Sequence, residues 1–155
     1  MAALDRIFSL ILRAAELAFA SIVAGVTGQY LHNAKASASA WALGRWIYTE
    51  TVAGLSILLA LIWLFPFSRT FTHWPIDLLV SILWWAAFGL IVHLIGSRCG
   101  AVFDWQNVSP RGDECGKFKA DIAFAFLSAI LWLVSAIIGL FWTRRHERYN
   151  RRSHV

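Results

Sequence analysis

Arg13, Glu16, Glu50, Asp77, His93 and Asp121 stand inside or at the edges of long apolar runs. A charged side chain at the centre of a membrane span costs roughly 2.5–3.5 kcal/mol on insertion scales, so each is a candidate for function by default. Arg13 and Glu16 lie three residues apart, on one face of a helix, where they can pair and offset each other's desolvation. Two readings of that pair stay open. It is a structural pair near the membrane interface, or Glu16 is a proton- or cation-binding carboxylate inside a bundle. Glu50 follows Trp46 by one turn and reads as a residue of the outer interface. Asp77 and Asp121 fall near helix starts, where an anion is favoured, and read as interfacial residues rather than ligands. His93 is set deeper and is expected to hydrogen-bond a neighbouring helix. Nothing supplies further metal ligands at suitable spacing, so no metal and no cofactor is assigned.

Catalysis finds no support. No activated serine, Cys-x-x-Cys pair or paired carboxylates in a polar cleft can be read from the chain, and short loops leave little room for an active site. The protein is read as non-enzymatic. Cys99 and Cys115 share a loop expected to face an oxidising compartment, where a disulfide can form. Closing about 15 residues would contribute about 3 kcal/mol in the chain-entropy model. Free or lipidated thiols are the alternatives. Asn107-Val108-Ser109 matches the glycosylation pattern, but Pro110 directly after it argues against modification.

The elements that must position these residues follow from composition. Of 155 residues, 59% are apolar and only 15% charged, against about a quarter charged in a soluble domain. So short a chain cannot hide that excess in a core, and lipid is the solvent that accommodates it. A spanning helix needs roughly 20 mostly apolar residues. Four stretches qualify: about 10–31, 46–67, 76–95 and 120–142. Their interiors lack proline; Pro66 closes the second and Pro75 opens the third, where a missing N–H does least damage. The first run carries Arg13 and Glu16 and lacks a clear cleavage site, so it is expected to remain as a span rather than a signal peptide. The expected fold class is all-α: a four-helix transmembrane bundle in one membrane domain over residues 1–155, with residues 143–155 as a basic tail.

Orientation follows from the positive-inside rule. The tail supplies Arg144, Arg145, Arg148, Arg151 and Arg152, five of the fourteen Lys and Arg residues, and is expected to be cytoplasmic. Four spans then put the N-terminus on the same side. Against this, the cysteine loop carries Arg98, Arg111, Lys117 and Lys119, partly balanced by Asp104, Asp113 and Glu114. The net charge of +5 does not indicate nucleic acid, because no basic face is interleaved with polar residues. A basic tail after an apolar helix suits anionic lipid headgroups instead. Small residues at four-residue spacing, Ala14/Ala18 and Ser21/Gly25 in the first span and Ala125/Ala129 and Ser135/Gly139 in the last, allow close helix approach. They serve either packing within the bundle or self-association into homo-oligomers.

The run from Cys115 through Gly-Lys-Phe-Lys-Ala-Asp-Ile-Ala-Phe-Ala-Phe-Leu-Ser-Ala-Ile-Leu-Trp resembles the last helix of MARVEL-domain proteins of fungal type. Ser81-Ile-Leu-Trp-Trp-Ala-Ala-Phe, with Cys99 shortly after it, is similar to the third helix of that family. The likeness covers the chain but is most specific in its last third; the first two spans match in hydropathy. It implies an M-shaped four-helix topology with cytoplasmic N- and C-termini. It also implies roles in membrane apposition, sterol-rich membrane domains and vesicle traffic, at the plasma membrane or on secretory-pathway vesicles. Membrane lipids would be the partners, and Cys99 and Cys115 a structural bridge. The alternative function is a small proton- or cation-coupled transporter or channel subunit.

Overall fold

The structure, a computed structural model, describes residues 2–33, 39–64, 73–96 and 114–152. Four helices account for nearly all of them: α1 (Ala2–Asn33), α2 (Ala40–Leu64), α3 (Trp74–Gly96) and α4 (Glu114–Arg152). No strand occurs among the described residues. Even α3, the shortest at 23 residues, reaches about 35 Å at 1.5 Å per residue, enough to cross a hydrocarbon layer about 30 Å thick. All four helices are long and apolar enough to span a membrane.

Several helices run past the expected spans. α2 begins at Ala40 rather than Trp46 because Ser39 caps it: the Ser39 hydroxyl accepts a hydrogen bond from the Ala42 amide at 3.4 Å. α1 begins at Ala2, and α4 continues through the basic tail to Arg152, since helix propensity and backbone hydrogen bonding do not stop where lipid does. Pro75 occupies the first turn of α3, as expected of a residue with no N–H to donate. Cys99, Pro66 and the glycosylation-like Asn107 lie outside the described residues.

The helices form a ring in which α1 packs on α2 and α4, and α3 on α2 and α4. Successive helices run antiparallel, so the starts of α1 and α3 meet the later parts of α2 and α4 at one end, here called the termini end. The ends of α1 and α3 meet the starts of α2 and α4 at the far end. The core is built mostly from small residues with large rings filling the gaps. Ala20, Val23, Ala53, Ala87, Ala125 and Ala129 let backbones approach, while Trp84 and Trp132 occupy the space between them. Some polar core groups bond across helices, which satisfies them where lipid offers no water. The Trp84 indole donates to the Ser56 hydroxyl at 2.9 Å, and Ser81 donates to the Ala129 carbonyl at 2.8 Å. Large aliphatics such as Ile11, Leu58, Leu79 and Ile82 face outward, the inverse of a soluble bundle.

The two sets of small residues separate. Ala125, Ala129, Ser135 and Gly139 of α4 are buried in the bundle, whereas Ala14, Ala18, Ser21 and Gly25 of α1 are exposed along one outer face.

Candidate functional site

At the termini end, the one-face spacing of Arg13 and Glu16 produces a contact: Arg13 Nη1 donates to Glu16 Oε2 at 2.8 Å. The guanidinium also reaches diagonally across the bundle to α3. There it donates from both terminal nitrogens to Asp77, at 3.2 Å to Oδ1 and 2.9 Å to Oδ2, the two-pronged geometry that suits Arg and that Lys cannot copy. The remaining Glu16 oxygen accepts from Ser135 of α4 at 2.6 Å. Two indole rings flank the guanidinium, Trp63 of α2 at 4.5 Å and Trp132 of α4 at 5.3 Å, within the range of cation–π attraction. His73 stacks on Trp63 at 5.3 Å. All four helices thus converge on one guanidinium, in surroundings where Glu16 is fully buried and Asp77 nearly so.

Each Glu16 oxygen accepts one hydrogen bond, Oε2 from the guanidinium and Oε1 from the Ser135 hydroxyl. Asp77 is buried between helices as the second counter-ion of Arg13. It still sits in the first turn of α3, where the helix dipole favours an anion.

At the far end, Thr27 of α1, Glu50 of α2 and Asp121 of α4 come together. Thr27 donates to Asp121 Oδ2 at 3.4 Å, and both residues are fully buried. Glu50 lies against the next residue of α1: a Cβ placed on Gly28 would meet its Oε1 at 3.7 Å. Glu50 is also near enough for its charge to act on Asp121. One turn further along each helix stands an aromatic ring: Tyr30 after Thr27, Trp46 before Glu50 and Phe118 before Asp121. These rings meet with centroids 4.7, 5.2 and 5.0 Å apart and cover the polar trio at the far end. Asp121 is enclosed by this packing, and Glu50 is half-buried.

The other candidates are dispersed. His93 is exposed at the far end, with Nδ1 at 3.2 Å from Nη1 of Arg45 on α2; since guanidinium can only donate, Nδ1 accepts. Arg45 in turn lies over Trp41. Cys115 is in the first turn of α4, and the described residues include no free cysteine. Arg144, Arg145 and Arg148 are exposed on the last turns of α4, and the helix backbone continues through Arg151 and Arg152. No group of three or more His, Cys, Asp or Glu side chains among the described residues could hold a metal.

Four long apolar helices, closed around a core of small residues, define a four-span integral membrane protein. The family model for the MARVEL membrane-associating domain matches residues 6–138, and the chain belongs to that family. No curated protein sequence matches it.

Proposed function

We propose that the protein is a non-enzymatic organiser of membrane domains that self-associates through the outer face of α1 and assists membrane apposition or vesicle traffic. The observation that carries this reading is the exposed stripe Ala14, Ala18, Ser21 and Gly25. Small side chains exposed to lipid gain little from lipid contact, but they allow a second helix to approach closely. Nothing lies within 4 Å of a Cβ built on Gly25, and the Ser21 hydroxyl is satisfied within its own helix by the Leu17 carbonyl at 2.7 Å. The stripe is therefore smooth and needs no polar partner. Membership of a membrane-associating family supports the same reading. The termini end is cytoplasmic in this proposal, with the arginines of α4 against anionic headgroups. A Cys99–Cys115 bridge on the opposite side agrees with the absence of a free thiol at Cys115.

A transporter centred on Glu16 has less support, because Arg13 already pairs with its charge at 2.8 Å. Imaging of a fluorescently tagged chain in living cells tests the organiser role. Plasma-membrane or vesicle patches that disperse on sterol depletion are expected; a uniform distribution indifferent to sterol defeats it. The purified protein in liposomes should carry no proton or cation flux.

A further inference from the structure

The carboxylates at the far end lack something that those at the termini end possess. Glu50 Oε2 and Asp121 Oδ1 are both shielded from water and have no hydrogen-bond partner among the described residues. Asp121 is fully buried, with only a long bond from Thr27 on its other oxygen. Two ionised carboxylates in such surroundings repel each other and forfeit their hydration, a cost that buried acid pairs elsewhere relieve by holding one proton between them.

The neighbouring charges do not meet this need. On α1, Tyr30 is engaged in the aromatic cover and His32 is exposed at the helix end. On α2, Arg45 is turned to Trp41 and His93, and the Tyr48 hydroxyl donates to the Leu83 carbonyl. On α3, His93 is exposed beside Arg45. On α4, Lys117 is exposed, and Lys119, two residues from Asp121, is buried but donates no hydrogen bond to Glu50 Oε2 or Asp121 Oδ1. Thr27 has one hydroxyl hydrogen, already directed at Asp121 Oδ2.

We infer that Glu50 and Asp121 form a proton-binding site at the far end of the bundle, with Thr27 as its third oxygen and Tyr30, Trp46 and Phe118 as its cover. A proton fits better than a metal ion. An ion needs several oxygens arranged around a volume of its own, whereas no group of three or more His, Cys, Asp or Glu side chains among the described residues could hold one. The bound proton removes one negative charge and supplies the missing donor, so the packing of α1, α2 and α4 at this end depends on it. The organiser role does not require this site, and the site can exist without it.

A hydrophobic carbodiimide, which reacts with the acid form of a carboxyl group in an apolar setting, is the first probe. The full chain in liposomes at neutral pH should give an adduct mapped by mass spectrometry to Glu50 or Asp121. Infrared spectra should show a carboxylic-acid carbonyl band, shifted in D2O, that Asp121→Asn or Glu50→Gln removes. Because either variant can also disturb folding, the wild-type adduct map stands alone as evidence. An adduct confined to Glu16 or Asp77, the absence of both adduct and acid band, or loss of the band when NaCl is added at constant pH would each overturn the assignment, the last by replacing the proton with a cation.

Discussion

Arg13 shows how much of a buried charge can be foreseen from local spacing. Its pairing with Glu16 is legible because three residues on a helix share a face, and the contact is present at 2.8 Å. Its second partner, Asp77, lies 64 residues away, and no local rule connects them; nor does one announce that Trp63 and Trp132 will enclose the guanidinium. The same holds at the far end, where Thr27 attracts no notice until folding sets it against Asp121. These placements make a sharp expectation. Arg13→Ala leaves two buried carboxylates without their cation, and breaking a buried pair in this way costs about 3–5 kcal/mol. Arg13→Lys keeps the charge but loses the two-pronged contact and the stacking, so its loss should be smaller yet clear. Thermal unfolding in detergent should rank wild type, Lys and Ala in descending order. Equal stability of all three would mean that the cluster contributes nothing to the bundle. A double-mutant cycle of Arg13→Ala with Asp77→Asn should return a large coupling, because the aspartate loses its need for a cation when its charge is removed.

At the scale of the helix, the four spans were legible because about 20 apolar residues in a row have few other fates, but their limits were not. Hydropathy reports where lipid begins, whereas backbone hydrogen bonding and capping decide where a helix ends. Ser39 sits in a small, polar stretch that reads as a loop, yet its hydroxyl starts α2 six residues before the expected Trp46. Ser39→Ala should cost about 1 kcal/mol, the usual worth of an N-cap, and loosen amide exchange at Ala42 and Leu43 without changing the span. The small-residue spacing of α1 and α4 is equally regular in sequence; only the ring of helices shows that α4 spends it inside and α1 outside. Gly25→Ile with Ala18→Ile should therefore leave thermal stability close to wild type, since nothing stands within 4 Å of the new Cβ at Gly25. The same change should sharply reduce chemical cross-linking between copies in membranes. Unchanged cross-linking with unchanged stability would count against α1 as the self-association face.

For the molecule as a whole, the antiparallel ring makes orientation a single choice, because both termini leave from the same end. The basic residues of the cysteine stretch, Arg98, Arg111, Lys117 and Lys119, weigh against the arginines of the tail in setting that choice. Part of that counterweight is reduced in the fold, since Lys117 and Lys119 belong to the first turns of α4 and Lys119 is buried. Arg144, Arg145 and Arg148, by contrast, are exposed just where α4 leaves the apolar region. Positive charge held close to a span end counts most toward orientation. Replacing Arg144, Arg145, Arg148, Arg151 and Arg152 with Gln should therefore produce a mixed population, detected by compartment-specific reporters fused to either terminus. Lys117→Gln should leave orientation as it is. Because α1 and α3 are tied by Arg13 and Asp77, and α1 and α4 by Glu16 and Ser135, the two reporters should switch sides together in properly folded molecules. Reporters that switch independently would mean that the five arginines orient α4 alone, before the bundle has closed around Arg13.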